Sequence, residues 1–110
     1  MEVGIDIEEI SRIKRAVEKW GDRFLNRIYT KREIEYCFKK KSPYPSLTGR
    51  FCVKEAVIKV FGGALNFSDI ETVNEKSGKP LVYIRGKTTN IKISISHTKS
   101  YAVAFAVMDE

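Results

Sequence analysis

At 110 residues, 43% of them hydrophobic, the chain is long enough to bury one core and too short for two ordinary domains, so residues 1–110 are read as a single domain. No apolar run approaches the roughly 20 residues that cross a bilayer, and Met1-Glu2-Val3-Gly4 passes directly into a strand-like pattern, which makes the cytoplasm the expected location and a membrane partner unexpected. The net charge of +6 calls for an acidic partner, yet no Cys/His finger, ribonucleoprotein signature or helix-turn-helix pattern supports nucleic acid, and Cys37, Cys52 and a single His cannot build an ordinary zinc site.

Val3, Ile5 and Ile7 alternate with Gly4, Asp6 and Glu8, the period of a strand with one apolar face; Asp6 and Glu8 then point the same way. Ile10, Ile13, Val17 and Trp20 follow at helical spacing, with Arg12, Arg15 and Lys19 on another side. The spacing predicts a first helix over 9–20 that stops at Gly21 and carries a basic outer face. Residues 23–29 are short and mixed in character. Thr30 and Glu33 form a capping box that opens a second helix ending near Lys39, and a basic, proline-bearing loop follows.

A third helix is predicted over 46–61, closed by Gly62-Gly63. Val53, Ala56, Val57 and Val60 form one apolar stripe, while Glu55 and Lys59 share the opposite side with Phe51 and Ile58. A helix apolar nearly all round is buried on several sides. Its Glu and Lys must therefore be paired, or hold a cation and an anion, because unpaired buried charge is costly. Two hairpins complete the chain: strands over 70–73 and 81–84 around Lys76-Ser77-Gly78-Lys79, and strands over 91–96 and 101–108. In the last strand Tyr101, Val103, Phe105 and Val107 alternate with Ala102, Ala104 and Ala106, leaving one face small enough for the third helix to approach.

Asp6, Glu8 and Glu55 are the acidic residues that lie inside apolar patterns. Three carboxylates without His or Cys ligands suit a hard cation such as Mg²⁺, which a phosphate substrate would complete. The alternative is that Glu55 pairs with Lys59 on an exposed surface and Asp6 caps the following helix. His97, in Ser94-Ile95-Ser96-His97-Thr98, is either a plain turn residue or, with its hydroxyl neighbours, a phosphate binder able to donate or move a proton.

Taken in order, Gly4-Ile5-Asp6-Ile7-Glu8-Glu9-Ile10-x-Arg12-Ile13, Arg23-Phe24-x-x-Arg27-Ile28-x-Thr30, Gly49-Arg50-Phe51-x-x-Lys54-Glu55-Ala56-x-x-Lys59, Gly78-Lys79-Pro80 and Ser94-Ile95-Ser96-His97-Thr98 resemble the signature of the holo-(acyl-carrier-protein) synthases. These are the small phosphopantetheinyl transferases of fatty-acid synthesis. The resemblance implies an α+β fold, an antiparallel sheet packed on a long central helix, and a homotrimer with an active site at each subunit interface. It implies that coenzyme A and an acidic apo-acyl carrier protein give holo-carrier and adenosine 3′,5′-bisphosphate. Asp6, Glu55, Lys59 and His97 would act in the reaction, Asp6 and Glu55 as Mg²⁺ ligands and Lys59 beside the pyrophosphate. Arg50, His97, Thr98 and Gly78-Lys79-Pro80 would hold the nucleotide end, and Arg12 and Arg15 on the first helix would meet an acidic helix of the carrier. Glu55 or a metal-bound water would take the proton of the carrier's serine.

Glu8 departs from the commoner pattern of the resembling small synthases, which often have an uncharged residue there. Alternate strand residues lie about 6.6 Å apart on one face, so Glu8 is expected as a third metal ligand beside Asp6; the rival is that Glu8 and Glu9 favour the positive end of the first helix. Two other readings stand beside this one. A broader transferase acting on secondary-metabolism carriers is disfavoured by the short chain, and a non-catalytic basic module would bind nucleic acid or an acidic protein.

Overall fold

The computed structural model describes residues 1–109. Strand β1 (Glu2–Glu9) leads into helices α1 (Ile10–Trp20), α2 (Asp22–Ile28), α3 (Lys31–Phe38) and α4 (Tyr44–Phe61). Strands β2 (Ile70–Asn74), β3 (Pro80–Ile84), β4 (Lys87–Thr88), β5 (Ile91–His97) and β6 (Tyr101–Met108) follow. They form two antiparallel three-stranded sheets, ordered β1-β6-β5 and β2-β3-β4. Helices and antiparallel sheets are thus mixed as the sequence implies, and among the described residues no helix is long and apolar enough to cross a membrane.

The predicted apolar stripe of α4 is buried without exception, and Ala102, Ala104 and Ala106 of β6 lie fully buried against it. β1 comes closer still: a Cβ at Gly4 would collide with the Ala56 carbonyl oxygen, so only glycine lets the strand lie on the helix. A second apolar cluster gathers Ile13, Leu25, Ile28, Tyr29, Cys37 and Leu47 beneath α1, α2 and α3, where the Tyr29 hydroxyl donates to the Leu47 carbonyl at 2.7 Å. Both cysteines are buried and free, and burial pushes the Cys37 thiol up to about 11 and the Cys52 thiol up to about 12, so neither is a ready thiolate.

Three features differ from the sequence reading, and a fourth, the facing of β1, is one that it left open. Residues 23–28 lie within a further helix, α2, with Tyr29 its extended C-cap, set off from α1 by Gly21 at φ 55°; a seven-residue helix is too short to display a period, which hid it. α4 begins at Tyr44 because Pro45 sits in its first turn, where a missing N–H costs nothing. The chain stays extended to Glu9, since β1 pairs with β6 along its whole length and α1 starts only at Ile10. Most consequential, β1 turns its polar face inward. Gly4 is buried and Asp6 and Glu8 are half-buried, whereas Val3, Ile5 and Ile7 are exposed and share the outer face with Val103, Phe105 and Val107 of β6.

Candidate active site

That facing carries Asp6 onto α4. Its side chain is 18% exposed and lies 3.8 Å from Lys59 Nζ, which also donates to the Ile5 carbonyl at 2.7 Å. Lys59 therefore bonds to β1 and not to Glu55, and the α1 N-terminus has no side-chain cap, so neither part of the surface-pair alternative is realised. Burial pushes Asp6 above the ordinary carboxylate range, against the pull of Cys52 and Lys59, and one of its oxygens is buried without a hydrogen-bond partner. Glu55 is raised too, first by burial and then by the negative charge of Asp6, with Glu8 adding to it. Partly dehydrated carboxylates that repel one another, one with an orphaned oxygen, fit a hard cation.

Glu8 occupies the next inward position of β1, but its carboxylate accepts from Arg12 at 3.1 Å and from the Glu9 N–H at 3.1 Å. Among the described residues no three His, Cys, Asp or Glu side chains converge tightly enough to hold a metal ion. Directly across the sheet from Glu8 lie Ala102 and then His97, so His97 shares that row, about 10 Å away by two strand spacings.

A second group forms on the other side of α4, where Arg50 stands about 140° around the axis from Glu55. Arg50 is 5% exposed, and its guanidinium lies against the Tyr36 ring and donates to the Asn74 side-chain oxygen. The Asn74 amide in turn donates to the Gly78 carbonyl at 3.0 Å, which ties Arg50 to the turn before Pro80. Gly78 has φ 92°, a backbone conformation glycine adopts freely. Lys79 is exposed beside it.

The sequence matches the 4′-phosphopantetheinyl transferase superfamily over residues 2–106. The chain belongs to that superfamily. It is 45% identical to a holo-(acyl-carrier-protein) synthase of Chloroherpeton thalassium, covering 99% of this chain and 98% of the relative, and 48% identical to one of Thermodesulfovibrio yellowstonii, covering 96% of each. In structure it is similar to the Helicobacter pylori synthase in complex with coenzyme A, with a TM-score of 0.86, 31% identity and coverage of 98% and 100%. The Bacillus anthracis synthase in complex with coenzyme A (3′,5′-ADP) gives a TM-score of 0.80 at 35% identity, covering 94% of this chain and 91% of that one.

In this phosphopantetheinyl transferase chain the residues singled out by sequence thus fall into separate groups. Asp6, Glu8, Glu55 and Lys59 line the β1–α4 seam, and Arg50, Gly78, Lys79 and Pro80 cluster at β2, β3 and α3. Among the described residues no hydrogen bond, ion pair or ring contact joins His97 or Thr98 to either Arg50 or the Gly78 turn; the Thr98 hydroxyl serves its own hairpin, accepting from Ser100 and Tyr101 N–H groups. Arg12 and Arg15 are exposed on α1 as predicted. Sequence reasoning missed Tyr36 and Asn74, which nothing in the spacing distinguishes. It also missed a cavity of about 420 Å³ lined by Trp20, Arg23, Phe24 and Arg27, whose signal was the basic-aromatic character of 20–27.

Proposed function

We propose that the chain is a holo-(acyl-carrier-protein) synthase, moving the 4′-phosphopantetheine group of coenzyme A to a serine of apo-acyl carrier protein and releasing adenosine 3′,5′-bisphosphate. The observation that carries this reading is near-full-length likeness to such synthases, joined to a dehydrated carboxylate pair with a lysine at its edge. Asp6 and Glu55 would hold Mg²⁺, with Glu8 as a third ligand once its carboxylate leaves Arg12. When bound, the ion neutralises pyrophosphate charge. Lys59 faces the negative charge that grows on the departing bisphosphate. Glu55, a half-buried carboxylate raised by burial and by Asp6, or a metal-bound water would take the serine proton, and His97, in the same sheet row as Glu8, would donate to phosphate. Arg50, Gly78, Lys79, Pro80 and Thr98 hold the nucleotide end.

We further propose a homotrimer with an active site at each interface, working in the cytoplasm. Support comes from the outer face of β1 and β6, which exposes Val3, Ile5, Ile7 and Phe105 to water in a single copy. The acidic seam and the Arg50 cluster also lie on different sides of α4, so neighbouring copies would complete each other's sites. Arg12 and Arg15 on α1, and the cavity lined by Trp20, Arg23, Phe24 and Arg27, would offer an acidic carrier basic and aromatic landing surfaces.

Incubation with coenzyme A, Mg²⁺ and apo-carrier tests the reading: the carrier should gain the mass of one phosphopantetheine group. Glu55→Gln should lose nearly all transfer while keeping the fold. An unmodified carrier, or Glu55→Gln activity within about threefold of the parent at saturating Mg²⁺, refutes the assignment.

A further inference from the structure

The environment of Arg50 asks for something the fold does not provide. Its guanidinium is buried, yet among the described residues no carboxylate pairs with it: the neighbours are the Tyr36 ring face, with Cζ 4.2 Å from the centroid, and the neutral Asn74 oxygen. Nε is buried with no hydrogen-bond partner at all. A buried cation in that state is costly unless an anion arrives to meet it. The side chain opens onto a cavity of about 220 Å³ between α3 and β2, also lined by Arg32, Lys39 and Asn74, with Glu35 contributing the lining carboxylate. Lys40 places its ammonium 4.8 Å from the same Tyr36 ring. One aromatic ring thus meets two cations beside a hollow lined mainly by cations.

A guanidinium is planar, and its hydrogen-bonding edge lies in that plane. The Tyr36 ring, over which the guanidinium lies, and the Asn74 bond hold the group from two directions, so its donor edge is restrained before any ligand enters. Coenzyme A carries a pyrophosphate and a ribose phosphate monoester, and the pyrophosphate belongs with Asp6, Glu55 and Lys59. The monoester is the anion left for Arg50.

We propose that Tyr36 is a positioning residue that holds Arg50 for the phosphate monoester of coenzyme A, so that the chain selects coenzyme A over dephospho-coenzyme A through this ring. The inference rests on the synthase reading above. It assigns to α3, a helix the family signature does not enter beyond its N-cap Thr30, the control of nucleotide selectivity.

The test uses the full chain and calorimetric titration with adenosine 3′,5′-bisphosphate and with adenosine 5′-monophosphate, alongside Michaelis constants for coenzyme A and dephospho-coenzyme A. Tyr36→Leu, and Tyr36→Gln as a second variant at this half-exposed position, should weaken the bisphosphate by about tenfold and the monophosphate by less than about twofold. The coenzyme A Michaelis constant should rise with the bisphosphate dissociation constant, without a matching fall in kcat, and Tyr36→Phe, which keeps the ring, should restore both. Equal weakening of the two nucleotides, an unchanged bisphosphate affinity, or a Tyr36→Phe variant that behaves like Tyr36→Leu overturns the proposal. Calorimetry needs no carrier, so a parent chain inert in transfer counts against the synthase reading alone, whereas an unmoved bisphosphate affinity in Tyr36→Leu defeats this inference at any transfer rate.

Discussion

Lys54 Nζ lies 2.8 Å from Glu33 Oε1 with neither side chain exposed, an ion pair that pins α4 to α3. The ammonium also donates to the Phe67 carbonyl at 2.9 Å and to that of Ile70, while Glu33 accepts from the Thr30 N–H at 3.0 Å and the Thr72 N–H at 2.9 Å. All three ammonium donors and both carboxylate oxygens of the pair are engaged, and this is the condition under which buried charge is tolerated.

Lys54→Met should therefore cost about 3–5 kcal/mol, because it strands a buried carboxylate and two carbonyls. The urea midpoint at fixed chain concentration reads the loss. Lys54→Met with Glu33→Gln should recover part of it, since the substituted amide is neutral yet still accepts from one backbone N–H. A double variant no more stable than Lys54→Met would show that the charge left behind is not the cause.

Phe105→Asp places a carboxylate in the outer face of β6, opposite Ile5. Light scattering should then report single chains, circular dichroism should keep its helical signal, and transfer should drop by about a hundredfold as split sites lose their partners. Full activity in single chains would place the whole site within one copy.

The raised carboxyls of Asp6 and Glu55 give the metal-free protein a pH signature. Their folded pKa values lie above the unfolded ones, so the favourable contribution is complete below about pH 4 and is lost as pH rises through the raised values. At pH 7 metal-free Asp6→Asn should melt above the parent, and the gap should close under acid. A gap of the opposite sign would mean that Lys59 outweighs dehydration at this seam.

Arg12→Glu should raise the carrier Michaelis constant about tenfold while moving that of coenzyme A less than about twofold. Carrier affinity of the parent should fall with salt over the range in which the screening length shrinks below about 10 Å. An unmoved carrier constant would put docking on another surface.

Glu8 distinguishes two roles that one substitution can separate. If it completes the metal site, Glu8→Ala raises the Mg²⁺ needed for half-maximal transfer about tenfold and leaves metal-free stability nearly intact. If its work is the bond to Arg12 and the first turn of α1, the Mg²⁺ requirement stays put and the metal-free melting temperature falls.

Periodicity made α1, α3, α4 and the two long hairpins legible, because their stripes are wide enough to repeat: Val53, Ala56, Val57 and Val60 are buried as spaced. It failed where facing had to be decided. Alternation in β1 tells which residues share a side, not which side meets α4, and the deciding contact is the absent side chain of Gly4 against Ala56. The same limit applied to the central helix, where the mixture of charge and apolar residues pointed to pairing or ligands but could not reveal that Lys54 takes a Glu from α3 while Lys59 stays exposed and bonds to β1. Asn74 and Tyr36 owe their roles to contacts with Arg50 that lie 24 and 14 positions away in sequence, beyond any local pattern.

The alternation of β1 also bears on how mutational data from this chain would read. Val3, Ile5 and Ile7 face outward and Gly4, Asp6 and Glu8 face α4, so in the proposed trimer one strand would serve assembly with its odd positions and the acidic seam with its even ones. A residue-by-residue scan scored only by product formed would return an unbroken run of sensitive positions and invite the conclusion that all six act on the substrate. Scored a second time by particle mass, the run would split by parity, and only the even-numbered half would remain as a description of the chemistry.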